Sequence, residues 1–526
     1  MLNVLAIPAL VWLLVAPGAP SVKHEIGRRN FRAELRAFRG VLESRRLTLD
    51  NFADQIDRTY ADFFLADPID FDLADLQGRG AEVAEEVFAT RQLLRDRYRE
   101  ILQSAPSLDD PRVRECARAL RQMVRAARFA EDYLIEWDDS LEIAKQKRTS
   151  PIEGSRPPRL MFRDSTATGL ELRTGDVFVL RSPSSVSAGV ARIASIASQF
   201  SHAGFIYVDP GSGRRFIVDS QMTDGLRYRP IENLLSGKSV RVAFFRFEDP
   251  EIARCAAEKA RAEAVEAGRG DEKVFYDFPN DMDDHRRMFC AEVIRAKFEE
   301  CAREQGKSVA SVPMFPSVFG KRNRSLLSAM GIRSERTFQP GDIEVDPRFE
   351  LCAEWRDFRK LEKNRHLDAI LTKVFQWMDE ENYQFHVGGS WRFMINRVWN
   401  MEANAHKSGP PGSWLTGPIR KPIRRAVALD VRNDDTGLEK EGAGQAIELD
   451  RLSRWLDARL RTMEKAHRRE TSRSAGFGVP MTYRELLSSL DSLKATKLET
   501  RKRFRPPPPA ATASVAPSDG HEARRP

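Results

Sequence analysis

One of the five cysteines stands where a helix begins. In FCAEVIRAKFEEC, Ile294, Phe298 and Cys301 recur on one helical face, which puts Cys290 near the first turn. Free backbone N–H groups and the positive end of the helix dipole favour a thiolate there. The same placement suits a cysteine that is simply a small buried apolar residue, and the acidic DMDD ahead of it opposes ionisation if its carboxylates turn inwards. A nucleophilic thiol needs a base within hydrogen-bond reach and a third group to orient that base. Among eight histidines, His24, His366, His467 and His521 lie in charged surroundings that read as exposed. His202, in FSHAGF, opens a β-rich run between small residues that leave room for a substrate, and His285, just ahead of Cys290, is a competing base. Asp219 ends the run FIVD. If the two runs pair across DPGSGRR, its carboxylate can accept the imidazole N–H of His202 and hold the tautomer; the other reading of Asp219 is a strand-end turn residue.

These residues need a mixed scaffold. The runs 177–180, 204–208, 216–218 and 240–245 read as strands, the glycine-containing DPGSGRR as a hairpin turn, and the Ala-rich stretch 250–268 as a helix. Strands and helices mixed in one stretch predict an α+β domain over 155–350. Residues 23–150 are poor in glycine up to a turn-rich linker, SPIEGSRPPR, and carry helical periods. Val83, Val87, Leu94, Tyr98 and Ile101 form one stripe. Asp110-Pro111 caps a second helix with Val113, Cys116, Leu120 and Met123 on one side. The many charges between these stripes read as solvated faces. From 351 to 500 the chain reads as mostly helical again, with Leu367, Ile370, Leu371, Val374, Phe375 and Met378 in a stripe and Trp391, Trp399, Trp414 and Trp455 available for packing.

The 526 residues carry 85 Lys and Arg against 77 Asp and Glu, and half of the +8 excess lies in the basic, proline-rich stretch 501–526. The remainder is nearly balanced, which gives no argument for nucleic-acid binding; the tail reads as disordered. Five widely spaced cysteines without a C-x-x-C pair argue against a disulfide framework and against structural zinc. Residues 1–22 hold the apolar run LNVLAIPALVWLLVA, short for a membrane span of about 20 residues. It reads as a signal-like or anchor segment, favouring the cell envelope, or as an apolar helix packed on the next domain, which fits a cytoplasmic protein.

LRTGDVFVLR, QFSHAGFIYV, FIVDSQMTDGLRYRPIENLL and VFYDFPNDMDDHRRMFCAEVI, in that order, resemble the motifs of the YiiX/YebB-like cysteine hydrolases. These are circularly permuted relatives of the NlpC-type, papain-like amidases, with histidine ahead of cysteine. The resemblance runs over about 170–350 and includes TFQPGDIEVDPRFE. It implies a permuted papain-like domain, here flanked by helical regions, with Cys290 as nucleophile, His202 as base and Asp219 as third member, where the family usually has glutamate. Asp176, Tyr276 and Glu292 match positions that shape the site. The chemistry implied is acyl transfer without metal or organic cofactor, on a peptide-like amide that can be derived from cell wall, or on an acyl lipid by a thioesterase or acyltransferase of the same fold, with membrane association through the N-terminal segment. A catalytically silent scaffold that binds partners through its helices is the non-enzymatic alternative.

Overall fold

The computed structural model describes residues 29–64, 71–105, 110–138, 160–164, 169–194, 197–221, 225–235, 239–267, 287–308, 317–319, 334–385, 438–475, 478–494 and 504–505, together with the single residues 107, 167, 274, 276, 277, 280, 282 and 285. The apolar run at 2–16, His24, His521, Trp391, Trp399 and Trp414 lie outside them. Among the described residues no helix is long and apolar enough to cross a membrane.

Seven antiparallel strands form the central sheet: β1 (Leu160–Phe162), β2 (Val177–Arg181), β3 (His202–Val208), β4 (Arg215–Gln221), β5 (Gly225–Pro230), β6 (Arg241–Phe247) and β7 (Phe349–Arg356), in spatial order β1-β7-β6-β2-β3-β4-β5. The expected hairpin is present. Phe205 pairs with Val218 and Val208 with Arg215, and the turn closes with Asp209 N–H on the Arg214 carbonyl at 2.9 Å while Gly213 takes φ +67°. Alternation along the strands sorts the core. Val177, Val179, Ala203, Phe205, Val218, Ala243 and Phe245 pack with α6 (Pro250–Ala267) and α7 (Cys290–Glu304), whereas Phe178, Leu180, Ile206, Ile217, Val242 and Phe244 belong to a second cluster with Leu170, Leu172 and Leu234. Phe298 of α7 stacks on Phe205 at 5.7 Å and meets Phe247 edge-on at 4.8 Å, which sets the helix against the sheet. Strands β1, β5 and β7 were not expected, and the sheet runs to Arg356, past the expected boundary at 350.

Helices α1 (Phe31–Glu43), α2 (Phe52–Thr59), α3 (Gly80–Gln103) and α4 (Pro111–Trp137) precede the sheet, with Asp110 capping α4 as expected through Arg112 N–H at 2.9 Å. Their charges are not all solvated faces. Arg91, Arg128, Glu131 and Asp132 are buried and join Arg241, Glu354 and Arg356 of the sheet in one ion-pair network, with Glu354 facing Arg91, Arg128, Arg241 and Arg356. The pattern in sequence is that of amphipathic helices, yet the face laid on the sheet carries paired charge.

Beyond α5 (Ser185–Val190), the helices α8 (Leu361–Glu380), α9 (Leu438–Ala475) and α10 (Tyr483–Leu493) share a core that includes Leu367, Ile370, Leu371, Val374, Phe375, Leu456, Leu460 and Leu486. His366 is buried there, not exposed, with Nδ1 3.1 Å from Asp457. Phe504 and Arg505, inside the stretch expected to be disordered, pair with Phe385 and Gln384. Cys255 of α6 is joined to Cys301 of α7 by a disulfide, a pairing that their wide spacing did not suggest.

Candidate active site

Cys290 is the first residue of α7 and is 3% exposed. Its position comes from both sides. Glu292, one turn in, accepts the Phe289 N–H at 3.0 Å, and Ser220 of β4 donates to the Met288 carbonyl at 2.6 Å, tying the approach to the helix to the sheet. The groups that favour its ionised form are His202 and the backbone N–H of Ala203 and Ala291. Burial by itself raises the thiol pKa. The charge and hydrogen bond of His202, with the two backbone donors, more than reverse this and hold it below the usual thiol value. The other free cysteines behave oppositely: burial pushes Cys116 up to about 11 and Cys352 up to about 12.

His202 opens β3, where Leu180 of β2 is its partner. Its Nε2 lies 2.7 Å from Oδ2 of Asp219, which leaves Nδ1 for Cys290. Burial pulls the imidazole pKa down, but the Cys290 charge and the Asp219 hydrogen bond carry it up to about 9. Asp219 is fully buried and faces a set of donors: Arg229 Nη2 on Oδ2 at 2.7 Å, Arg229 Nε on Oδ1 at 3.2 Å and Gln221 Nε2 on Oδ2 at 2.8 Å. Burial would raise its pKa, and the hydrogen bonds and charges of His202 and Arg229 drive it far below the usual carboxylate range. These shifts favour the thiolate of Cys290 beside the imidazolium of His202, whose ring is oriented by an ionised carboxylate.

Residues 171–311 match the family of permuted papain-like amidase enzymes, the YaeF/YiiX or peptidase C92 family. The match takes in Cys290, His202 and Asp219 and supports a cysteine hydrolase; it ends short of the TFQPGDIEVDPRFE segment and of both helical regions. No curated protein and no solved structure matches the chain.

Within the matched segment, the remaining expected residues separate into two groups. Tyr276 neighbours Cys290, and burial followed by the Cys290 charge pushes its phenol pKa well above the usual value, so it keeps its proton. Glu292 is buried and also faces His285, whose Nδ1 is 3.4 Å from Oε1; His285 thus turns to the helix cap, whereas His202 takes the thiol. Asp176 does not join them. It sits beyond the opposite end of the β2–β3 ladder from His202, where Arg246 Nε on Oδ1 and Nη2 on Oδ2, both at 2.9 Å, and Arg173 N–H at 2.7 Å fasten it to the turn made by Gly175 at φ +100°. Its position serves that turn, not the surroundings of the thiol.

The small residues beside His202 also do other work than expected. A Cβ on Gly204 would lie 2.8 Å from the Phe178 ring and 2.9 Å from the Asp219 Cβ, so the room is occupied by those side chains. Arg229, Gln221 and Ser220 were not anticipated. Period-two alternation in GLRYRP is the signal that could have found β5 and, with it, Arg229 opposite β4.

Proposed function

We propose that this protein is a cysteine amidase that cleaves a peptide-like amide bond through an acyl-enzyme on Cys290. The observation that carries the reading is the grouping of Cys290, His202 and Asp219, with Nε2 of His202 2.7 Å from Asp219 and the His202 charge holding the Cys290 thiol pKa down. His202 takes the proton of Cys290. The thiolate adds to the amide carbonyl, and backbone N–H groups at the start of α7, together with the Tyr276 hydroxyl, are the donors at hand for the developing oxyanion. Collapse of the tetrahedral adduct breaks the C–N bond, and the His202 proton goes to the leaving amine. Water, deprotonated by the now neutral His202, attacks the thioester and returns Cys290 with the carboxylic acid product. The chemistry calls for no metal or organic cofactor.

An extracytoplasmic, envelope-associated location is part of this proposal. The Cys255–Cys301 disulfide supports an oxidising compartment, and the apolar run at 2–16 suits export or anchoring.

Timed alkylation with iodoacetamide at neutral pH, followed by peptide mapping of wild type and His202→Ala, tests the nucleophile. Cys290 is expected to react first, ahead of Cys116 and Cys352, and to lose that advantage without His202; equal slow labelling of all three overturns the reading. Turnover of acyl esters but not of peptide amides would replace the amidase with a lipid-directed enzyme of the same chemistry.

A further inference from the structure

Asp219 is shared. On one side it accepts from His202 Nε2, and on the other the Arg229 guanidinium from β5 meets both of its oxygens. Both hydrogen bonds of the Arg229 guanidinium go to Asp219, so its route to His202 and the thiol runs through this carboxylate. We propose that Arg229 is a positioning residue of the site: its two-pronged grip fixes the Asp219 carboxylate and, by sharing it, sets how firmly Asp219 holds the proton on His202. The inference rests on the cysteine-hydrolase reading of the same residues.

The physical basis is geometric first. An aspartate carboxylate swings freely about its last torsion, and a planar fork bonded to both oxygens removes that freedom in a way a single ammonium cannot. Gln221, the second donor from β4, holds Oδ2 from a further direction at 2.8 Å. Electrostatics comes second. His202 is faced by Cys290 of α7, by Asp219 of β4 and, across that carboxylate, by Arg229 and by Arg227, whose Nε is 3.6 Å from Asp219 Oδ1; Tyr276 faces the same thiol. A carboxylate neutralised in part by a guanidinium stabilises imidazolium less than one left alone. Arg229 thus keeps His202 able to give up its proton, which both halves of an acyl-transfer cycle require.

The test is the titration of His202, followed by NMR on the full chain with labelled histidine, in wild type, Arg229→Gln and Arg229→Lys. Arg229→Gln is expected to move the His202 titration up by about half a pH unit or more, as the unshared carboxylate tightens on the imidazolium. Arg229→Lys keeps the charge and is expected to titrate as wild type while alkylating severalfold more slowly at Cys290, because the fork is gone. In an Asp219→Asn background, Arg229→Lys is expected to add no further loss of rate, since the residue acts through that carboxylate. A His202 titration unchanged in Arg229→Gln overturns the proposal; should that variant fail to fold, an Arg229→Lys protein with the wild-type alkylation rate overturns it equally. Absence of selective Cys290 alkylation in the wild type itself is the separate result that removes the nucleophile reading.

Discussion

Gly204 and Asp219 are packed so closely that a single added carbon on Gly204 would lie 2.9 Å from the Asp219 Cβ, while also meeting the Val218 carbonyl oxygen at 2.4 Å. Carbonyl oxygen is backbone and gives little. Gly204→Ala is therefore expected to lower stability by about 1–3 kcal/mol, the usual range for overpacking, and to slow alkylation of Cys290 by displacing the carboxylate that orients His202. Urea unfolding and the alkylation rate measure the two effects; a variant as reactive as wild type would show that Asp219 tolerates the shift.

The pH profile of hydrolysis should be bell-shaped. Activity rises as Cys290 ionises, below the usual thiol range, and falls as His202 loses its proton near pH 9. Stability follows the same imidazole: the His202 pKa is raised from 6.5 in the folded state, so its contribution is fully present below that value and lost as pH climbs through about 9. Rate and thermal unfolding measured from pH 5 to 10 check both limbs; an activity optimum above pH 10 contradicts the assignment.

Tyr276→Phe removes a hydroxyl, on a half-buried ring, that interacts with the Cys290 thiol. The reaction rate is expected to fall by about 10²-fold, the low end for loss of one donor at a developing oxyanion, with little change in folding. If only substrate affinity changes, the hydroxyl serves binding and not the reacting centre.

Glu354→Gln leaves Arg91, Arg128, Arg241 and Arg356 around a neutral amide in a dry interior. Breaking such a group by taking away one partner costs about 3–5 kcal/mol, so denaturant unfolding should show a loss of that size.

The difference between what could and could not be read in the chain follows from range. Cys290 at a helix start, His202 at a strand start and Asp219 across a short glycine turn are each marked by their neighbours, and the hairpin Phe205–Val218 brings the last two together locally. Arg229 lies on a strand where Leu226, Tyr228 and Pro230 alternate with arginines; the alternation marks a strand, but nothing local says that the arginine face meets Asp219. Glu354, His366 and Asp132 are buried ionisable groups whose partners lie as far as 263 residues away in sequence, and no periodicity announces a salt bridge. Asp176 misled for the opposite reason: its motif is local, but the turn it closes is at the wrong end of the strand.

Strand β7 lies between β1 and β6, and Glu354 on it gathers arginines 263, 226 and 113 residues upstream. During synthesis every one of those partners leaves the ribosome before the carboxylate that they share. A nascent chain that has reached residue 311 already contains Cys290, His202 and Asp219, yet β6 presents an unpaired edge and α3 and α4 have nothing of opposite charge to close upon in β7. Closure over such distances is slow, and an open strand edge invites pairing with other chains. The residues of the thiol site are thus complete in sequence before the strand whose carboxylate fastens the preceding helices to the sheet, so a chain cut at residue 311 keeps the site's residues and loses that fastening.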